Sequence, residues 1–140
     1  MSTLQGIHHL SLSVRDLERS AAWYADVLGL ERIAALPDEG SGAKVLLRHP
    51  DSPVVLVLTR HRANPGEPFS ERRTGLDHLA FWVPSEAELA AWRVRLAERG
   101  VEHQPIAPQR LGTGLVFRDP DNIQLELYVP SPAPGGTSAR

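Results

Sequence analysis

The fold is decided by Gly6-Ile7-His8-His9-Leu10-Ser11-Leu12-Ser13-Val14, which is matched later in the chain by Gly75-Leu76-Asp77-His78-Leu79-Ala80-Phe81-Trp82-Val83. The two stretches lie 69 positions apart, and the same offset pairs Val57 with Glu126. A shift that holds over most of the chain without a gap indicates two copies of one supersecondary unit. The sequence therefore predicts an internal duplication, with a histidine at the same point of each copy.

Each copy is predicted to form a strand, a helix and three further strands. Alternating apolar residues predict the first strand at residues 7–14. Asp16 and Ser85 are the expected N-caps of the two helices, which Gly29 and Gly100 end. The further strands are predicted at residues 31–36, 44–49 and 54–59 in the first copy and at residues 101–106, 114–118 and 123–129 in the second.

A chain of 140 residues is long enough for one domain with a sizeable core. We expect a single domain over residues 1–130, with module one at about residues 5–59 and module two at about residues 75–129. The connector, residues 60–74, combines proline, glycine and many charges, which are typical of a loop. Residues 131–140 have too little apolar area to bury and are expected to form a flexible tail.

The composition excludes several classes of function. The chain has no cysteine, so disulfides, thiolate catalysis and thiolate metal ligands are absent. A formal net charge of −2 gives no positive field for nucleic acid, and we expect no nucleic-acid partner. The N-terminal residues do not resemble a secretory signal, and no apolar run is long enough to span a bilayer. We therefore expect a cytoplasmic protein with no membrane partner.

Strand alternation predicts which side chains lie opposite the leucine-rich face, because neighbouring residues point to opposite sides of a sheet. The opposite face carries a set of side chains that are mostly polar or aromatic: His9, Ser11, His78, Trp82, Glu126 and Tyr128. A half-exposed sheet also shows polar residues on one side. The repeat nevertheless makes a shared functional surface the sharper hypothesis.

Two histidines and one glutamate at corresponding positions favour a metal site. A histidine taken alone is more often structural, but His9, His78 and Glu126 together suit a divalent transition metal with open coordination positions. Val57 stands at the position equivalent to Glu126 and cannot ligate. The predicted site is therefore three-liganded, with positions left for water or substrate.

Four motifs follow one another in the chain: His9-Leu10-Ser11-Leu12-Ser13-Val14, Asp16-Leu17-Glu18-Arg19-Ser20, Gly75-Leu76-Asp77-His78-Leu79-Ala80-Phe81 and Arg118-Asp119-Pro120-Asp121-Asn122. In these motifs, over roughly residues 5–129, the chain resembles the vicinal oxygen chelate superfamily. That superfamily contains glyoxalase I, extradiol dioxygenases, fosfomycin-resistance enzymes and bleomycin-resistance proteins.

The resemblance implies an α+β fold of two tandem βαβββ modules, whose mixed sheet forms a cup with the helices outside. It carries the two histidine ligands onto His9 and His78 and the last-strand glutamate onto Glu126. The fourth ligand of glyoxalase I falls at Val57, which departs from that pattern. Asn122 replaces a turn glycine and tolerates the same left-handed conformation. A homodimer is also implied, with metal ligands from one chain or from two.

Three functions remain open on this sequence. The first is a glyoxalase- or dioxygenase-like metalloenzyme, a lyase, isomerase or dioxygenase in which a divalent ion (Fe, Mn, Ni, Zn or Co) chelates a small substrate through neighbouring oxygens. The alternative is a dimeric protein of the bleomycin-resistance type, which sequesters a small natural product without catalysis. A third is a regulatory or structural dimer that keeps the ligand residues without using them.

The residues that would complete such a site are less sharply indicated. For acid–base catalysis, His103 is a candidate by residue type alone, and Tyr128 is a candidate because it alternates onto the same strand face as Glu126. The substrate cup is expected to include Val57, Trp82 and Ser11, with Trp82 suited to stacking on a flat ligand. Arg48 and Arg118 stand at strand ends, where they either face solvent or meet an anionic substrate.

Overall fold

The computed structural model describes residues 2–131, and the chain divides into two compact units. Unit 1 is Met1–Pro68 and unit 2 is Phe69–Arg140. Of the expected tail, residues 132–140 lie outside the described residues. Neither helix of the described part is long and apolar enough to cross a membrane.

Unit 1 contains one helix and a four-stranded mixed sheet. Its elements are β1 (Leu10–Ser13), α1 (Leu17–Leu28), β2 (Glu31–Leu36), β3 (Ala43–Arg48) and β4 (Val55–Arg60). The strand order is β1-β4-β3-β2. The β1–β4 pair is parallel and the other two pairs are antiparallel.

Unit 2 repeats this topology. Its elements are β5 (Leu79–Trp82), α2 (Glu86–Glu98), β6 (Ala107–Gln109), β7 (Gly112–Arg118) and β8 (Gln124–Pro130). The strand order is β5-β8-β7-β6, with a parallel β5–β8 pair and antiparallel partners beyond it. The predicted α+β fold of two βαβββ modules is thereby confirmed.

Both predicted helix N-caps are confirmed. The side chain of Asp16 accepts a hydrogen bond from the Arg19 amide, and that of Ser85 accepts one from the Glu88 amide. Each cap satisfies an amide that the first helical turn leaves without a partner. Gly29 ends α1 in the left-handed conformation, with φ of 73°.

Each helix covers the apolar face of its own sheet. Helix α1 packs on β3 and β4, and α2 packs on β7 and β8. The face under each helix carries fully buried side chains, among them Val14, Leu47, Leu56 and Leu58 in unit 1 and Leu115, Phe117, Leu125 and Leu127 in unit 2. Each such side chain contributes about 1.5–3 kcal/mol by leaving water. The polar residues between them are therefore left to the opposite face, as the alternation predicts.

Two strand predictions differ from the structure by more than two residues, and the others agree to within two. The strand expected at residues 101–106 is wrong: only an isolated bridge from His103 to Phe117 forms there, and the edge strand β6 begins at Ala107. Pro105 has no amide hydrogen to donate to a ladder, which explains the gap. The first strand begins at Leu10 rather than at residue 7, so His9 immediately precedes it.

Candidate functional site

The register of the two sheets places Val57 and Glu126 at equivalent points. Ser11 pairs with Val57 across the parallel β1–β4 ladder, and Ala80 pairs with Glu126 across β5–β8. Val57 and Glu126, which are 69 positions apart in the sequence, therefore occupy the same register position in their two sheets. The offset does not hold everywhere, because Leu46 is the β3 partner of Val57 whereas Val116 is the β7 partner of Glu126.

His78 and Glu126 form a pair on the open face of unit 2. His78 immediately precedes β5, and its Nε2 lies 3.9 Å from Oε1 of Glu126. Glu126 is only 6% exposed, and every buried side-chain nitrogen and oxygen of the described residues has a hydrogen-bond partner. A buried carboxylate is costly unless it is hydrogen-bonded or meets a cation.

Asp77 fixes the orientation of the His78 ring and was not singled out by the sequence. The Nδ1 atom of His78 lies 2.6 Å from Oδ1 of Asp77. An ionised carboxylate only accepts hydrogen bonds, so Nδ1 is the donor and a neutral ring keeps its lone pair on Nε2. This is the arrangement in which a carboxylate orients a metal-binding imidazole. Its only sequence signal is the position of Asp77 beside a candidate ligand.

A chain of polar side chains also holds Glu126, through the same carboxylate oxygen that faces His78. Nε2 of Gln124 donates to Oε1 of Glu126 over 3.1 Å, and Nη2 of Arg118 donates to Oε1 of Gln124 over 3.1 Å. Arg118 also pairs with both carboxylate oxygens of Glu71, at 3.1 and 2.9 Å. From the sequence, Arg118 is expected either to face solvent or to meet an anionic substrate. In the structure its guanidinium is instead bonded to Glu71, Asn122 and Gln124.

Hydrogen bonding also sets the charge state of this chain of residues. The bond from Arg118 is the main reason that the pKa of Glu71 falls from its ordinary 4.5 to about 2. In return, the bond to Glu71 is the main reason that the pKa of Arg118 is raised. The pair is therefore ionised at any pH near neutrality.

His9 and Ser11 belong to unit 1. His9 is exposed, and its Nδ1 lies 2.8 Å from Nδ1 of His8, so one of the two rings donates and the other accepts. The hydroxyl of Ser11 lies 2.9 Å from that of Thr59. His8 stands where unit 2 has Asp77, so the two copies support their histidines differently.

Trp82 and Tyr128 are neighbours on the open face of unit 2. They are Cα partners across the β5–β8 ladder, and Trp82 is 80% exposed. The Tyr128 ring lies beside two glycines of β7: an added Cβ would be 2.9 Å from it at Gly112 and 3.4 Å from it at Gly114. The glycines thus leave room for an aromatic ring beside the backbone.

His103 lies elsewhere in unit 2. Its backbone bridges to Phe117, whose side chain is buried on the helix-covered face. Paired residues of an antiparallel ladder share a face, so His103 is on the side opposite to Glu126. Its Nδ1 lies 2.9 Å from the backbone oxygen of Gln104. The structure therefore does not bring His103 together with His78 and Glu126.

The chemistry of the His78–Glu126 pair fits a divalent transition ion, because an imidazole nitrogen with a free lone pair and a carboxylate are both ligands of such ions. Within residues 2–131, no group of three or more histidine, aspartate or glutamate side chains is placed to hold a metal ion. The pair therefore supplies two donors and needs at least one more.

Comparison with known proteins agrees with the fold and the motifs. The model of the glyoxalase/bleomycin resistance protein/dioxygenase superfamily matches residues 6–127. The uncharacterized protein YwkD of Bacillus subtilis (strain 168) is 34% identical over 128 residues, which cover 89% of this chain and 97% of YwkD. A catechol-2,3-dioxygenase of the same organism is 29% identical over 132 residues, which cover 90% of this chain but only 42% of that enzyme.

A solved structure shows the same relationship. The crystal structure of a glyoxylase/bleomycin resistance protein/dioxygenase domain from Frankia sp. EAN1pec is 34% identical and superposes with a TM-score of 0.84, covering 92% of this chain and 100% of that one. With the family model matched over most of the sequence, the chain belongs to the glyoxalase/bleomycin resistance protein/dioxygenase superfamily.

Proposed function

We propose that this protein is a metal-dependent enzyme that binds a small substrate through two neighbouring oxygens. The proposed ligands are His78 and Glu126 of unit 2 with His9, the equivalent histidine of unit 1. His9 comes from the same chain or from the partner chain of a homodimer. The proposed ion is divalent Fe, Mn, Ni, Zn or Co, and the reaction is that of a lyase, an isomerase or a dioxygenase.

The observation that carries this proposal is the geometry around His78. Asp77 on Nδ1 leaves Nε2 as the lone-pair nitrogen, and that atom lies 3.9 Å from the Glu126 carboxylate. A histidine with only a structural role has no need for a second carboxylate at its other nitrogen. The catechol-2,3-dioxygenase relative supports an oxygen-chelating substrate, although this chain spans less than half of that enzyme.

The residues of the chain have separable tasks in this function. Asp77 keeps the His78 ring in one tautomer, and Gln124 holds one oxygen of Glu126. Val57, which has no donor atom, leaves coordination positions open. A bound divalent ion supplies Lewis-acid polarisation of the substrate oxygens or, if it is ferrous, a site for dioxygen.

A second candidate function is sequestration of a flat natural product without catalysis. The observation that favours it is Trp82, which is 80% exposed beside Tyr128 on the open face. Exposed aromatic rings of this kind stack on planar ligands. The two functions differ in their need for metal, which makes them separable by experiment.

The test is metal binding by untagged protein. Apo protein is titrated calorimetrically with Mn(II), Ni(II), Zn(II) and Co(II), and anaerobically with Fe(II). We expect stoichiometric binding of at least one ion that is lost in His78→Ala and retained in His61→Ala, where an exposed histidine outside the site is removed. Loaded protein is then screened with catechols, methylglyoxal adducts and epoxides. Absence of stoichiometric metal in the wild type would leave sequestration as the better account.

A further inference from the structure

We infer that Gln124, Arg118 and Glu71 form a positioning chain, which holds the Glu126 carboxylate in the geometry required of a metal ligand. The inference rests on the proposed function and deepens it, because it assigns the support of the site to residues that do not touch the metal. The positioning chain runs from Glu126 to Glu71 through three successive side-chain contacts.

The first link fixes the orientation of the Gln124 side-chain amide and, through it, the position of the Glu126 carboxylate. An arginine only donates hydrogen bonds, so the Gln124 atom that faces Nη2 of Arg118 at 3.1 Å must be its oxygen. The Gln124 nitrogen is then directed to Oε1 of Glu126, 3.1 Å away. The amide cannot flip without losing both bonds. A carboxylate has about four lone-pair sites, so this bond leaves others available for a cation.

The second link anchors Arg118. Its guanidinium makes two parallel bonds to the Glu71 carboxylate and a third to the Asn122 carbonyl oxygen, at 2.9 Å. Such fork-shaped pairs restrict the guanidinium more than a single contact does. The depressed pKa of Glu71 agrees with a persistent pair.

The segment that carries Glu71 is also held against the turn that leads into β8. The Phe69 amide donates to the Asp121 carbonyl over 2.8 Å, and the Asn122 side chain donates to the Phe69 carbonyl over 2.9 Å. Asn122 adopts φ of 69° in that turn, as its sequence position suggests. The end of the predicted connector is therefore part of unit 2 and supports the strand that carries Glu126.

Unit 1 provides an internal comparison. Arg48 pairs with Val55 in the β3–β4 ladder, at the position where Arg118 pairs with Gln124 in β7–β8. Unit 1 thus keeps the arginine but has valine in place of the glutamine, and it also has valine in place of Glu126. The linking amide is present only in the unit that has the carboxylate. If Arg118 only stabilised the end of its strand, the glutamine and the glutamate would not need to occur in the same unit.

The test uses full-length apo protein and Mn(II) or Co(II) alone. Gln124→Met keeps the length of the side chain and removes its amide. Arg118→Lys removes the fork, and Glu71→Gln removes the charge at the far end. Thr113→Val is the matched control, because it removes a side-chain hydrogen bond to Glu86 in the same unit. Affinity, the visible spectrum of bound Co(II) and thermal unfolding of the apo protein are measured for each.

We expect Gln124→Met to weaken Mn(II) binding about tenfold, in line with other residues that support metal ligands, and to shift the Co(II) spectrum. Arg118→Lys and Glu71→Gln should give progressively smaller losses, and Thr113→Val should change affinity less than twofold. An unchanged affinity and spectrum in Gln124→Met, with a wild type that binds metal, overturns the positioning chain alone. An equal loss in Thr113→Val also overturns it. A wild type that binds none of the ions overturns the proposed function and this inference together.

Discussion

Val57 occupies in β4 the register position that Glu126 occupies in β8. Both side chains are buried, at 8% and 6% exposure, but only one of them has a donor atom. Val57→Glu should therefore place a carboxylate at the position of unit 1 that is equivalent to the proposed ligand Glu126. We expect the affinity for Ni(II) to rise on the order of tenfold, because the new carboxylate is a further anionic ligand. Calorimetric titration of the apo variant measures this.

The apo form of Val57→Glu should lose about 1–3 kcal/mol of stability, because the new carboxylate is buried without the amide that Gln124 gives to Glu126. Val57→Gln, which has a similar shape and no charge, is the control for bulk. Severe destabilisation with unchanged Ni(II) affinity would show that Val57 is a core residue and not part of the site.

Asp77 should matter for metal binding and little for folding. The residue is largely exposed, but its carboxylate lies 2.6 Å from Nδ1 of His78. Asp77→Ala frees the ring to rotate and to change tautomer, and we expect about tenfold weaker Mn(II) binding. Asp51→Ala, at an exposed position in unit 1, is the control. Equal affinities in the two variants would remove Asp77 from the site.

The Glu71–Arg118 pair should make stability depend on pH in a defined window. The pKa of Glu71 is about 2 in the folded protein and 4.5 ordinarily. A depressed carboxyl pKa stabilises the fold above the ordinary value, and that contribution disappears as pH falls from about 4.5 towards 2. The stability difference between wild type and Glu71→Gln should therefore shrink over this range. Urea unfolding at pH 6, 4 and 2.5 measures it, and a difference that does not vary with pH would contradict the pairing.

The sequence predicts the elements of this fold well because their signals are local. Asp16 and Ser85 cap helices through bonds three residues away, and strand alternation puts Glu126 on the face opposite to the leucines beside it, as the register of β7 and β8 has it. The strand expected at residues 101–106 does not form, because Pro105 cannot donate a ladder hydrogen bond even though the repeat predicts a strand there.

The support of the site is harder to read from the sequence because it depends on distant pairings. Glu71 and Arg118 are 47 positions apart, and nothing in either neighbourhood identifies the other as its partner. Asp77 differs from its counterpart His8, so the repeat conceals it. Comparison of the two copies therefore identifies the residues that they share, but it does not identify the residues that are present in only one of them.

We expect a homodimer in solution, as the superfamily resemblance implies. Each sheet also has two edge strands, β1 and β2 in unit 1 and β5 and β6 in unit 2, and an unpaired sheet edge needs to be covered. Light scattering should give about twice the chain mass of 15.4 kDa, and the monomer mass across micromolar concentrations would contradict the prediction.

Heterodimers of His9→Ala with His78→Ala then locate the ligands. Recovered metal binding means that sites form across two chains, and no recovery means that each chain forms its own.

Trp82 should bind planar ligands by stacking. The other two tryptophans contact protein groups: Trp23 packs edge-on against Tyr24 at 5.0 Å, and the guanidinium of Arg95 lies 5.2 Å from the Trp92 ring. Trp82 should therefore dominate the emission that a planar ligand quenches. The probe is 2,3-dihydroxynaphthalene, with cyclohexane-1,2-diol as a non-planar diol.

We expect Trp82→Ala to weaken binding of the naphthalene diol about two- to tenfold, which corresponds to the loss of one aromatic contact. Binding of the cyclohexane diol and of metal should change little, and Trp92→Ala should leave both diols unaffected. Fluorescence and calorimetric titrations with and without metal separate stacking from chelation. If Trp82→Ala weakens both diols equally, the ring packs the site without recognising planarity. If the naphthalene diol binds Trp82→Ala as tightly as wild type, Trp82 faces a protein surface and not a ligand.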